Sequence, residues 1–193
     1  MLANHIQTSL HLVKYRPDEV KALYDIIVEC GQDMFLRFGL SHWHPPYPFD
    51  VMQRNAARMD VYGVHHGDEL IGTFTTGAGD RKYNHELWSD DSMIPLYLYK
   101  LAIRPIYQGR GWGRWCIEQI ENMATNRQYR AIRFDVIASH LGLRSFFKEL
   151  EYSERGTRFV SDYYGVKWEV AFFEKVVSHS SISQIDQQAS ICG

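Results

Sequence analysis

A buried strand that runs into a glycine-rich turn and then an amphipathic helix constrains this chain more than any other stretch. The segment reads Leu101-Ala102-Ile103-Arg104-Pro105-Ile106-Tyr107-Gln108-Gly109-Arg110-Gly111-Trp112-Gly113-Arg114. Leu96 to Ile103 (LYLYKLAI) is rich in aromatic and branched residues and is expected to be a strand, which Pro105 ends. A helix is predicted from Gly111 to Asn126, with Cys116, Ile117, Ile120, Met123 and Ala124 on one face. This order aims successive backbone N–H groups and the positive end of a helix at one spot. Glycines at 109, 111 and 113 admit a bulky anion without a Cβ in its way, and Arg110 and Arg114 add charge. The expected ligand is a phosphate or pyrophosphate. An isolated GxGxG is more often a plain turn, but the flanking strand and helix favour the anion site. A Walker loop is excluded because no Gly-Lys-Ser/Thr follows, and the glycine spacing differs from a dinucleotide fingerprint.

Composition narrows the rest. The chain has 193 residues, enough for one domain with a sizeable core. A net charge of −2 gives no reason to expect nucleic acid or an anionic membrane as partner. No apolar run approaches the roughly 20 residues of a bilayer span, and MLANHIQTSLHLVKY lacks the charge-then-apolar order of a signal peptide. Cys30, Cys116 and Cys192 are too scattered for a disulfide framework or a metal site, so no metal is expected. Cys30 and Cys116 sit among helical apolar residues and read as buried, inert thiols in a cytoplasmic protein.

Along the chain, Ser9 to Tyr15 alternates as a first strand. Pro17-Asp18-Glu19 reads as a helix start, Val20, Leu23, Tyr24 and Ile27 as its apolar stripe, and Gly31 as its stop. A second short helix is expected at Gln32 to Phe38. SHWHPPYPFD is a proline- and aromatic-rich loop before a helical segment near Asp50 to Met59. Val61 to His65 and Leu70 to Thr76 form a hairpin, and Gly77 to Ser92 is irregular. Ala131 to Ile137 and Trp168 to Val176 read as strands, with Leu143, Phe146, Phe147 and Leu150 at helical spacing between them. Ser/Gln-rich residues 178–193 are expected to be a frayed tail. The fold class is mixed α/β, strands and helices interleaved.

With these elements in order, the sequence resembles the GNAT (GCN5-related N-acetyltransferase) superfamily. Gln108-Gly109-Arg110-Gly111-Trp112-Gly113 matches its Q/R-x-x-G-x-G/A loop, in the family's place after KLAIRP. The resemblance runs from about Leu10 to Lys175 and includes the hairpin, FDVIAS, the helix near His140 and the WEVAFFEK ending. It implies a GNAT domain over residues 1–177, with a central mixed sheet, two splayed parallel strands and flanking helices.

The resemblance also implies acetyl-CoA as co-substrate and an amine as acceptor. Leu101, Ala102 and Ile103 would hold the pantetheine and the acetyl carbonyl, and Gln108, Gly109, Arg110, Gly111, Trp112, Gly113 and Arg114 the pyrophosphate. The amine would attack the thioester directly, helped by positioning and polarisation. An amine of lysine type is neutral in only about one molecule in two thousand at pH 7, so a base or a water chain is expected. Tyr97 and Tyr99 lie on the strand where relatives often carry a carboxylate base, and Asp135 and Glu86 are further candidates. His42, His44, His65, His66 and His85 read mostly as solvated loop residues. Where the family has an asparagine that contacts pantetheine and a tyrosine acid seven residues on, this chain has His140 and Phe147, and Phe147 also fits the apolar stripe. Tyr99, Tyr152, Tyr163, Tyr164 or water could stand in as acid. Trp43, Tyr47, Trp88 and Tyr97 could wall an acceptor pocket for a small apolar or cationic amine, or simply plug the core edge. Three functions stay open: an N-acetyltransferase for a small primary amine, a CoA-binding sensor of the same fold with little turnover, or a transferase of another acyl chain such as propionyl or succinyl. Homodimerisation through a strand edge is compatible with any of them.

Overall fold

The structure is a computed structural model that describes residues 9–79 and 85–177. The expected tail at 178–193 therefore lies outside the described residues. Seven strands form one sheet in the order β1-β2-β3-β4-β5-β7-β6. They are β1 (Leu10–Tyr15), β2 (Asp60–His66), β3 (Glu69–Gly77), β4 (Pro95–Ile103), β5 (Ala131–Ile137), β6 (Ser153–Ser161) and β7 (Lys167–Val176). Every neighbouring pair is antiparallel except β4 and β5, which run parallel. A parallel pair needs a crossover, and α3 (Trp112–Asn126) supplies it.

Helices α1 (Lys21–Phe38) and α2 (Phe49–Ala56) cover one face of the sheet, and α3 and α4 (Leu141–Glu149) the other. The α3 face carries Cys116, Ile117, Ile120 and Ala124 into the core, with Met123 partly buried. Each of the two isoleucines contributes roughly 1.5–3 kcal/mol by leaving water. Cys30 and Cys116 are free and buried, as their apolar surroundings suggest. No helix among the described residues is long and apolar enough to cross a membrane.

Three elements differ from the sequence expectation. Residues 17–20 form a turn, and α1 begins only at Lys21, with no acid in its first turn. The helix then continues through Gly31 to Phe38 as one element, so two helices are replaced by one. It stops at Gly39, whose φ of 67° is the left-handed conformation that glycine adopts cheaply. Gly31 has a packing role instead: a Cβ there would stand 2.5 Å from the Trp43 carbonyl oxygen. In an open helix, Gly→Ala stabilises by about 1 kcal/mol. Gly31→Ala is expected to destabilise instead, by about 1–3 kcal/mol, because a backbone atom must give way. A chemical denaturation curve checks the sign, and a gain in stability would show that the loop yields.

The third difference is β6, which the hydrophobic pattern does not announce. SERGTRFVS is an edge strand with little buried surface, so no apolar alternation marks it.

Candidate active site between β4 and β5

The parallel pairing of β4 with β5 is short. Pro95, Leu96 and Tyr97 pair with Ala131, Ile132 and Arg133, and no later rung joins the two strands among the described residues. Meanwhile β4 stays paired with β3 as far as Ile103, and β5 with β7 as far as Ile137. The two strands therefore diverge, each held by its other neighbour. A cleft of about 670 Å³ opens in the gap. Its walls are Leu98 and Lys100–Ile103 on β4, Phe134–Ile137 on β5, and residues from α1, α3 and α4.

A bulge shapes the β4 wall. Tyr99 pairs with Thr75 and Ala102 with Thr73, so Lys100 and Leu101 stand opposite Phe74 alone. Lys100 takes a φ of 54°, in the left-handed region. The extra residue leaves a backbone group outside the ladder, within the cleft wall.

The glycine turn closes one end of the cleft. Gly109 and Gly111 have φ of 75° and 82°, and a Cβ at either would meet nothing within 4 Å, so both open onto free space. The first-turn N–H groups of α3 have no intrahelical carbonyl to bind, and the helix dipole adds positive potential there. Gln108, Gly109, Gly111, Trp112, Gly113 and Arg114 all line this end. Gln108 staples the turn: its Nε2 donates to the Ile103 carbonyl at 2.8 Å. Arg110 does not line the cleft; its guanidinium stacks on Tyr107 and Trp112 and donates to the Ile106 carbonyl. The model of the acetyltransferase (GNAT) family matches residues 20–152. The chain belongs to the GNAT family.

Solved structures of GNAT proteins share the architecture. The ribosomal-protein-S18-alanine N-acetyltransferase of Escherichia coli matches with 14% identity and a TM-score of 0.65, over 92% of this chain and 99% of that one. Arabidopsis thaliana NAA60 with a bisubstrate analogue matches at 14% and 0.61, over 89% and 100%. A GNAT acetyltransferase of Elizabethkingia anophelis with acetyl-CoA bound matches at 11% and 0.60, over 86% and 97%. At these identities the likeness is one of fold. No curated protein matches the sequence significantly.

The GNAT cleft gathers Leu101, Ala102, Ile103, His140, Phe147 and Asp135 along with the glycine turn. His140 caps α4, its Nδ1 accepting from the Leu143 N–H at 3.2 Å, and its ring leans on Phe38. Phe147 is buried and its ring lies 4.3 Å from that of Phe134, so it serves the core as well as the cleft wall.

Tyr97 and Tyr99 do not line the cleft. Tyr97 is buried with Trp88 and Phe172 in a separate apolar cluster, and burial pushes its phenol up. The Tyr99 hydroxyl donates to the Ala78 carbonyl. The four-residue aromatic wall is likewise divided: Trp43 lines the cleft, Tyr47 stands behind it under Lys100, and Trp88 and Tyr97 belong to that other cluster. Glu86 is exposed on a 3-10 turn away from the cleft. Of the other tyrosines, Tyr152 is buried outside the cleft with its phenol pushed up, and Tyr163 and Tyr164 are exposed.

Two cleft residues carry more chemistry than their sequence setting suggests. His42 is not solvated: burial pushes its imidazole down to about 4, and its Nδ1 has no hydrogen-bond partner among the described residues. His65 and His66 belong to β2 rather than to a loop. Lys100 is partly buried, its Nζ 4.7 Å from the centre of the Tyr47 ring, and burial pushes its ammonium down to about 8. A lysine inside the apolar run LYLYKLAI was the available signal for it.

Proposed function

We propose that this protein transfers the acetyl group of acetyl-CoA to a primary amine of a small molecule, by direct attack within a ternary complex. The observation that carries this reading is the divergence of β4 from β5 beside the turn of Gly109 and Gly111. It supplies unpaired strand edge for the amides of pantetheine, next to an anion site for the pyrophosphate. The bulge at Lys100–Leu101 frees a backbone group that can polarise the thioester carbonyl.

In the reaction the amine nitrogen bonds to the carbonyl carbon, the carbon–sulfur bond breaks, and CoA leaves as the thiolate. Direct attack is favoured because the cysteine in the cleft is a poor nucleophile. Burial pushes the Cys30 thiol up to about 12, and it donates to the Ile103 carbonyl. The amine must lose a proton. Asp135 is the cleft group suited to take it, directly or through water. The leaving thiolate needs little help, since a thiol of pKa about 8.5 leaves readily near neutral pH.

A second reading, a CoA-binding module with little turnover, is favoured by one observation: residue 147 is a buried phenylalanine, which cannot donate a proton. Thiol release from acetyl-CoA in the presence of small amines and peptides separates the two. Amine-dependent release establishes the transferase, whereas CoA binding without release on any amine establishes the module. Loss of both readings follows if CoA does not bind.

A further inference from the structure

We propose that the acceptor amine carries a carboxylate, and that Lys100 is the residue that receives it. This rests on the transferase reading above and names its substrate class.

The first observation is the pairing of buried cations. Among the described residues, the partly or fully buried lysines and arginines are Lys100, Arg104, Arg133, Arg144, Arg155 and Lys175. Arg104 pairs with Glu29, Arg133 and Arg155 with Glu174, Arg144 with Glu154, and Lys175 with Glu121. Lys100 alone of these six has no ion pair; its cationic contact is the face of Tyr47. A buried charge without a counter-ion is costly, and a fold that meets this cost five times with a carboxylate leaves the sixth for a ligand to meet.

The second observation is position. Lys100 stands at the bulge of β4, in the wall of the cleft, on the sheet face covered by α1 and the loop before α2. The glycine turn that suits the CoA phosphates lies at the start of α3, which packs on the opposite face. The ammonium is thus at the acceptor's side of the gap and is not part of the phosphate site. One unit charge suits a monoanion. Of the other charged groups on the cleft walls, Asp33 and Arg37 pair with each other at 3.0 Å, Arg114 belongs to the glycine turn, and Asp135, on the facing strand, makes no ion pair with Lys100. His42 and His140 have their imidazoles pushed down by burial, so they add no cation near neutral pH. Tyr47, behind Lys100, stays a neutral phenol because burial pushes it up.

The titration of Lys100 then has a defined sign. A bound carboxylate favours the ammonium, so binding takes up a proton as the pH passes 8. Selectivity for acids is expected to be full below pH 8 and to fade above it.

The test uses matched sets: an amino acid, its amide and its decarboxylated amine, built on phenylalanine, leucine and β-alanine. For the wild type at pH 7, kcat/KM for at least one acid is expected to exceed that of its amide by 10-fold or more, mainly through KM. In Lys100→Met this preference should vanish while CoA affinity stays within 3-fold, and Lys100→Arg should retain part of it. Equilibrium binding of the N-acetylated acids and amides to the CoA complex gives a second readout that needs no turnover. Carboxylate selectivity that depends on Lys100 there supports the site even if no thiol is released, so failure of the transferase reading is seen separately. The proposal is overturned if acids have no advantage in either assay, or if their advantage survives Lys100→Met. An equal fall in kcat on acids and amides would make Lys100 a proton-transfer group, and loss of CoA binding would assign it to the cofactor; both overturn it.

Discussion

Replacing Arg133 by methionine is expected to destabilise the protein by about 3–5 kcal/mol, the largest effect of any single substitution considered for its fold. Arg133 and Glu174 are both almost fully buried, at 3% and 2% side-chain exposure, and their Nε and Oε1 atoms are 2.9 Å apart. The pair is tied into its surroundings. Arg133 Nη2 donates to the Asp90 carbonyl at 2.7 Å, the guanidinium stacks on Trp88, and the Ser89 N–H donates to Glu174. Without the arginine, Glu174 keeps a weaker ion pair with Arg155 at 3.5 Å and that one N–H. For a domain of this size the melting temperature should fall by roughly 10 °C. The double variant Arg133→Met, Glu174→Leu should recover much of the loss, because no lone charge remains buried. Thermal and urea unfolding read both results, and a single variant within 1 kcal/mol of wild type would show that Arg155 suffices. A functional cost should accompany the loss, since Arg133 is the last β5 residue paired with β4 before the strands part.

Gly111→Trp is expected to weaken CoA binding 100-fold or more, about 2.7 kcal/mol, while leaving the fold largely intact. The two effects separate because a Cβ at residue 111 meets no protein atom within 4 Å. What the new side chain costs the apo protein is backbone strain at φ 82°, about 1–2 kcal/mol for a residue other than glycine. What it costs the complex is the space in front of the first turn of α3. Gly111→Asn is the control, since asparagine tolerates the left-handed region: it should lose less stability and still bind CoA less tightly. Calorimetric titration with CoA, set beside melting curves of the same proteins, gives both numbers. Unchanged affinity in Gly111→Trp would remove the phosphates from this turn and take the proposed co-substrate site with them.

The local conformation of the glycine turn was legible because it depends on neighbours in sequence. Glycine at 109 and 111 is needed where φ is positive, proline at 105 ends a strand, and a 3.6-residue stripe marks α3; each is a property of a few adjacent residues. Local patterns misled where a distant contact decided the outcome. Gly31 has the composition of a helix stop, yet α1 passes through it, and the missing side chain leaves the room that Trp43 fills. The exposed edge strand β6 has no buried face to imprint a pattern.

The β4 wall of the cleft was decided in three dimensions. Tyr97 and Tyr99 share the candidate strand with Lys100, but only Lys100 reaches the cleft wall, at the bulge across from Phe74. His42 is neutral because of what packs around it rather than what flanks it in the chain. The sequence by itself determined the family, most of the order of the elements and the positive-φ glycine turn before α3, through short-range conformational preferences. Only the tertiary structure decided where two parallel strands stop pairing and which of the buried lysines and arginines among the described residues has no ion pair. Both depend on hydrogen bonds and burial between segments dozens of residues apart, which no local pattern encodes.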